Sequence, residues 1–247
     1  MDFTEEINRI IEKKEILTFF QPIIHLRTGN VAGFEALSRG PVGSLHSPNN
    51  LFTTAYRCHR QQEVELVCLE LAVKHSKRLP PGQVFFNLSP STILSSSNTV
   101  LNIIDPLNDR AVIELTEIKV KNRDVGTLVA ILSSFRACGI KIALDDVGKG
   151  ERDFWSISEF PSDFLKINQN SIHRLARYKN GTAHRYRLMI EKLLELGKLL
   201  GAQVIAEGVE TNGHCQIVKD LGIELAQGFF FSKAMPVEHW IEEEGQK

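Results

Sequence analysis

The 247-residue sequence has no excess of charge, no cysteine framework and no long apolar run, and each absence removes a class of function. Lys plus Arg (29) nearly equals Asp plus Glu (30), for a net charge of −1. No global electropositive field exists to hold the chain on a nucleic acid polymer or an anionic membrane. The four cysteines, Cys58, Cys68, Cys138 and Cys215, are widely spread and lack C-x-x-C spacing, so a reduced, cytoplasmic setting is expected. The N-terminus carries acids where a secretory signal carries bases, and no stretch approaches the roughly 18 apolar residues of a membrane helix. There is no G-x-S-x-G elbow, Walker loop, G-x-G-x-x-G or H-E-x-x-H, which argues against serine hydrolases, P-loop NTPases, Rossmann dehydrogenases and zincins. The eight histidines show no ligand spacing and read as surface or packing residues.

What remains is an ordinary globular composition, 43% hydrophobic and 24% charged, without a linker or low-complexity tract. One domain over residues 1–247 is expected. A first helix over 3–14 is marked by the capping-box spacing of Asp2 and Glu5 and by Phe3, Ile7, Ile10 and Ile11 at helical intervals. Strands are expected at 17–21, 31–35, 84–87, 111–114, 140–145, 164–168, 203–207 and 224–227, with helices near 61–78, 123–138, 183–200 and 211–221. This β/α alternation predicts a barrel of the TIM (β/α)8 type. The apolar runs on either side of Thr28-Gly29-Asn30 look like a hairpin, so at least one strand pair is expected to be antiparallel. Pro22 and Pro161 read as loop punctuation.

Run after run ends on a polar side chain: Glu35, Asn87, Glu114, Asp145 with Asp146, Glu207 and Gln227. In a barrel the C-terminal ends of parallel strands form one mouth, so these residues meet there although no local motif joins them. Five carboxylates in one cavity must protonate, pair with cations or bind metal, and Lys166 offsets only one of them. Oxygen donors without His or Cys suit Mg²⁺ or Mn²⁺. Two such ions would balance the charge and form an arrangement suited to phosphodiester hydrolysis. The basic stretch from His173 to Lys179, continuing from His184 to Arg187, reads as a solvated face, a guide for an anionic substrate or an interface.

The ordered motifs FQPIIHLRTGNVAGFEALSR, FFNLSP, IELTE, IALDDVGKG, LKIN, VIAEGVET and AQGFFFS resemble the EAL-domain family of cyclic-di-GMP phosphodiesterases, over about residues 19–236. The resemblance implies a modified TIM barrel with one antiparallel strand, and a metal-dependent site that linearises cyclic-di-GMP to pGpG. It implies metal-binding roles for Glu35, Asn87, Glu114 and Asp145, with Asp145 bridging to a second ion that Asp146 and position 168 also hold. Glu207 matches the general base, and Lys166 the residue that orients the attacking water or steadies the phosphate. Gln21 and Arg39 match substrate contacts, Glu210 and Gln227 complete the pocket, and Glu117 anchors the loop after the Asp145-Asp146 strand. A homodimer through residues near 147–160 is implied, and a sensor or effector partner is common in the family; 247 residues leave no room for a sensor, so either a stand-alone protein or one domain of a longer chain is expected.

The chain departs from the family at D-D-F-G-T-G, which reads Asp145-Asp146-Val147-Gly148-Lys149-Gly150, and at K-I-D, which reads Lys166-Ile167-Asn168. Asn168 offers a neutral carbonyl oxygen in place of a charge, so the second ion is expected to bind more weakly. These changes bear on rate more than on ligand binding. Two functions follow, an active phosphodiesterase and a catalytically weak receptor that binds cyclic-di-GMP and signals through partners. A pure interaction module ranks below both, because Glu35, Arg39 and Glu207 are kept.

Overall fold

The computed structural model describes residues 3–116, 120–148, 153–178 and 181–244. Eight strands close into one barrel in sequence order: β1 Leu17–His25, β2 Val31–Arg39, β3 Gln83–Leu88, β4 Ala111–Leu115, β5 Lys141–Val147, β6 Phe164–Ile167, β7 Gln203–Ala206 and β8 Leu225–Ala226. All neighbouring pairs from β2 to β8 are parallel, whereas β1 is antiparallel to both β2 and β8. The hairpin expectation therefore holds, with Gly29 supplying the positive φ (75°) of the turn.

The helices are α1 Phe3–Lys13, α2 Pro48–Arg57, α3 Gln61–Ser76, α4 Pro90–Ile104, α5 Asn122–Ala137, α6 Asp153–Glu159, α7 Gln169–Arg177, α8 Gly181–Leu200, α9 Asn212–Asp220 and α10 Val237–Glu244. The helices α2, α4, α6, α7 and α10 were not expected from periodicity. Two of them announce themselves by chemistry instead, since α2 and α4 each start Ser-Pro, with Ser47 and Ser89 capping Asn50 and Thr92. Asp2 of the expected capping box lies outside the described residues. The basic stretch falls on α7 and the first turns of α8, where Arg187 pairs with Glu191 at 2.9 Å.

Pro22 is not in a loop but inside β1, opposite Phe34 of β2. On the other side, β1 pairs with β8 only at Ile24 and His25. Phe20 and Leu26 donate across that edge to Met235 and Glu224. Pro22 falls in the gap between these contacts, where its missing N–H forfeits no ladder bond.

Barrel interiors fill in layers because side chains alternate in and out along each strand. Here one inward layer is apolar, formed by Ile23, Phe85, Val112, Ala143, Phe164, Ile205 and Leu225, with Phe85 and Phe164 edge to face at 5.0 Å. At the β2 position Gly33 replaces a side chain, and a Cβ there would stand 2.6 Å from the carbonyl oxygen of Gln83. Outside the barrel a second apolar shell packs the helices on the strands, and a separate cluster joins Ile7, Ile10 and Ile16 to Leu51, Ala55 and Val64, tying α1 to α2 and α3.

The cysteines are unpaired, Cys68 and Cys215 buried and Cys138 exposed at the end of α5. Burial pushes the Cys68 thiol up to about 12, with Glu65 adding to the rise against a hydrogen bond from Ser38. Because only the thiolate is nucleophilic, Cys68 is expected to react with iodoacetamide at pH 8 more than about 10³-fold slower than an ordinary exposed thiol. Mass spectrometry of timed alkylation would check this, with Cys138 labelled first; comparable labelling of Cys68 would contradict the packing.

Candidate active site

Two residues further along each strand from the apolar layer, the next inward side chains are all polar. Phe85 leads to Asn87, Val112 to Glu114, Ala143 to Asp145, Phe164 to Lys166, Ile205 to Glu207 and Leu225 to Gln227. Gly33 leads to Glu35, and on the reversed β1 Gln21 lies two residues before Ile23. Strand register places Gln21 opposite Glu35 and Asn87 opposite Glu114. Several strands run further than expected, β1 past Gln21 to His25, β2 past Glu35 to Arg39 and β5 past Asp145 to Val147, whereas Asn168, Glu207 and Gln227 stand just beyond their strands.

Lys166 is the centre of this layer, fully buried. Its Nζ donates to Glu114 Oε1 at 2.7 Å and to Glu35 Oε2 at 3.1 Å, and stands 2.8 Å from Glu207 Oε1. Glu35 also accepts from Asn87 Nδ2 on Oε1 (2.9 Å) and from Gln227 Nε2 on Oε2 (2.7 Å). Gln227 Nε2 reaches Gln21 Oε1 at 3.0 Å, and Gln21 Nε2 donates to the carbonyl of Ser232 at 3.1 Å. The sequence-predicted residues Gln21, Glu35, Asn87, Glu114, Lys166, Glu207 and Gln227 thus form one bonded layer.

Its electrostatics follow from burial against charge. Burial opposes ionisation of Glu35, yet Lys166 and the hydrogen bonds from Asn87 and Gln227 hold its pKa below the usual carboxylate value. Glu114 is pushed well above that value by burial and by Glu35, against the pull of Lys166. Burial raises Glu207 to about 7 against Lys166, with Asp145 and Glu35 adding to the rise. Burial also raises Asp145, opposed by Lys166 and helped by Asp146 and Glu35. Burial alone would discharge Lys166, but Glu114, Glu207, Glu35 and Asp145 outweigh it and drive its pKa well above that of an exposed lysine.

The donor set fits hard divalent cations. Glu35, Glu114 and Glu207 offer carboxylate oxygens within 4.8 Å of one another, and so do Asp145, Asp146 and Glu207. Glu114, a member of the first group, has its Oε2 buried without a hydrogen-bond partner among the described residues. Five carboxylates against one ammonium leave a formal excess of four negative charges, which two divalent ions would neutralise.

Asn168 does something else. Its Oδ1 accepts from the backbone N–H of Asn170 at 2.9 Å, capping α7, while its Nδ2 donates to Asp146 Oδ1. The residue presents a donor to Asp146, not the carbonyl oxygen expected from the sequence. Asp146 itself has a left-handed backbone, φ 57°.

Not every predicted residue enters the layer. Arg39 lies at its side, donating to the carbonyl of Ser38 at 3.0 Å with its guanidinium 5.9 Å from the Phe19 ring. Glu210 is exposed at the rim, and Glu117, Lys149 and Gly150 lie outside the described residues. Two cavities open beside Glu35. One of about 260 Å³ runs past Gln21, Asp146, Asn168, Glu207, Glu210 and Phe229. The other, about 810 Å³, is walled by Arg39, Phe52, Tyr56, Glu65, Asn87 and Ser89. Phe52, Tyr56 and Glu65 escaped the sequence reading because α2 was not recognised and α3 reads as packing; Phe229 lay within the AQGFFFS motif but carried no assigned role.

Known proteins resemble the chain in sequence and in fold. The EAL domain family matches residues 4–234. The chain is similar to the "Probable cyclic di-GMP phosphodiesterase PdeB" of Escherichia coli (strain K12), 29% identical over 243 residues, covering 94% of the chain and 45% of that protein, so it spans less than half the length of this curated relative. Among solved structures, an EAL domain protein from Listeria monocytogenes EGD-e superposes with a TM-score of 0.84 at 21% identity, covering 100% of the chain and 99% of that structure. The EAL enzyme Bd1971 in its cAMP- and cyclic-di-GMP-bound form gives 0.83 at 22% identity, covering 97% and 67%.

Proposed function

The chain belongs to the EAL domain family, and from that premise we propose that it is a metal-dependent phosphodiesterase that opens cyclic-di-GMP to linear pGpG. The observation that carries this reading is the single inward layer that gathers Glu35, Asn87, Glu114, Asp145, Lys166, Glu207 and Gln227 at the barrel mouth. Glu35, Asn87, Glu114 and Asp145 hold a first divalent cation in the proposal, and Asp145 with Asp146 a second. Mg²⁺ or Mn²⁺ bound there supplies Lewis-acid polarisation of the phosphodiester and of the attacking water. Glu207 takes the water's proton as the water oxygen bonds to phosphorus and the P–O bond to the 3′ oxygen breaks, the 3′ oxygen taking up a proton from solvent; the base role suits a carboxyl poised near neutrality. Lys166 holds Glu35, Glu114 and Glu207 in register and steadies the charge growing on the phosphate. Phe229 in one cavity and Phe52 with Tyr56 in the other offer apolar faces for the two purine bases, with Arg39, Gln21 and Glu210 as polar partners.

The second reading, a receptor that binds cyclic-di-GMP and hydrolyses it poorly, is favoured by one observation. Asn168 turns a donor toward Asp146 where a second cation needs an oxygen. Chromatography of cyclic-di-GMP incubated with the protein at saturating Mg²⁺ or Mn²⁺ tests both. We expect pGpG to form, and Asn168→Asp to raise turnover by about tenfold, the effect of restoring one charged ligand to the second ion. Binding in calorimetry without turnover would transfer the protein to the receptor class; loss of both would leave only the fold.

Among the described residues no helix is long and apolar enough to cross a membrane. The four unpaired cysteines support a cytoplasmic location. A homodimer through residues 147–160 is part of the proposal, supported by the exposed Trp155 on α6, and a sensor or effector partner is a further part. Sedimentation at micromolar concentration is expected to show a dimer, and an active monomer would count against it.

A further inference from the structure

The loop that follows β7 carries Glu207 and Glu210, and it is held from two helices by a pair of histidines that the sequence reading had assigned to surface or packing. His173 on α7 bonds through Nε2 to the carbonyl oxygen of Gly208 at 2.8 Å. His214 on α9 accepts, on Nδ1, the backbone N–H of Glu210 at 3.3 Å. The two rings touch, with centroids 4.6 Å apart and planes 32° from each other, and both side chains are half-buried. Between the gripped groups, Val209 is fully buried, donates to the carbonyl of Gln227 at 3.1 Å and accepts from Phe230 N–H at 2.9 Å. The near end of the loop is bonded as well, Glu207 N–H donating to Ile167 at 3.2 Å. Gly208 lies against α7 so closely that a Cβ there would stand 2.2 Å from Gln169 Cβ, and Gln169 and His173 are one turn apart on the same helix.

We propose that His173 and His214 are positioning residues, a two-helix clamp that fixes the 207–210 loop so that the Glu207 carboxylate stays at Lys166 and the acidic pair Asp145 and Asp146. The two rings do complementary work. His173 must carry a proton on Nε2 to donate to the Gly208 carbonyl, and His214 must keep Nδ1 bare to accept from Glu210, which puts its own proton on Nε2. A backbone held at successive polar groups has few ways to rotate, and the aim of a catalytic carboxylate depends on the backbone that carries it. His173 Nε2 also lies 4.0 Å from Glu210 Oε2, so the clamp reaches the rim side chain as well as the loop behind it.

The consequence for turnover rests on the phosphodiesterase reading, but the clamp itself is tested independently of it. The full chain is compared with His173→Leu and His214→Leu, which keep bulk but lose the bonds, and with His173→Gln and His214→Gln, which restore a donor and an acceptor. Hydrogen exchange of the peptide spanning 207–215 is expected to quicken about tenfold in the Leu variants, the equivalent of one lost hydrogen bond, and to stay near wild type in the Gln variants. kcat on cyclic-di-GMP should fall about tenfold in the Leu variants with KM moving less than about threefold, and recover in the Gln variants. Unchanged exchange in the Leu variants overturns the clamp, and so do equal losses in the Leu and Gln variants. A wild-type protein without turnover would sink the phosphodiesterase reading and leave the exchange comparison to decide the clamp alone.

Discussion

Glu207→Gln is expected to lower kcat on cyclic-di-GMP by a factor of about 10²–10⁴, the range that a positioned general base contributes. The substitution keeps size and one oxygen but cannot take a proton. Glu207 also lies in both acidic groups at the mouth, so the same change removes one negative charge from beside each proposed cation site. The fold should not suffer. Burial raises the Glu207 carboxyl to about 7, above its unfolded value, so its ionisation in the cation-free protein works against folding as pH rises from about 4.5 through 7, and an uncharged amide removes that penalty. The variant is expected to melt at or above the wild-type temperature without divalent ions, and to gain less from adding Mn²⁺. A kcat within about threefold of wild type would remove Glu207 from the base role.

Lys166→Met carries the largest effect on stability. The side chain is fully buried among Glu35, Glu114 and Glu207, and removing one member of a buried charge cluster typically costs about 3–5 kcal/mol because the partners are left uncompensated. The lysine's pKa is raised above its unfolded value, so its contribution is complete at all pH below the unfolded value and is lost only in strong alkali. The pH dependence of the variant therefore comes from the carboxylates. Without the ammonium, Glu35 loses the strongest of the forces holding its pKa down, and the deficit should be largest near pH 7.5 and shrink toward pH 5 as the cluster protonates. Urea titrations at the two pH values would check this, and Mn²⁺ should restore more stability to the variant than to wild type. A deficit below about 1 kcal/mol at pH 7.5 would mean that the carboxylates do not depend on Lys166.

The legible part of this protein was the part set by the period of two. Along β3, β4, β5, β6, β7 and β8 the pattern apolar, any residue, polar recurs at the strand's C-terminal end, from Phe85 to Asn87 through Leu225 to Gln227. The barrel turns that repeat into a layer, so the polar strand ends name most of the site. Arg39 was less legible, because β2 runs on past Glu35 and carries it to the wall of the larger cavity. The identity of Asn168 was plain but not its orientation, which is decided by the competing demand of capping α7. The histidine pair was illegible: His173 and His214 are 41 residues apart with no spacing rule between them, and only the packing of α7 and α9 against one loop brings the rings together.

The reversal of β1 has a mechanical consequence. An ordinary βα barrel feeds its first strand in from the floor, whereas here Leu17, where β1 begins, lies opposite Arg39, where β2 ends at the mouth. The first helix is therefore anchored at the open end, and its apolar face, Ile7 and Ile10, rests on Leu51 and Ala55 of α2. That helix bears Phe52 and Tyr56 on the wall of the larger cavity. The path from α1 to that wall is short, a few side-chain contacts that do not cross the eight-stranded cylinder. The first helix and the opening share one end of the barrel.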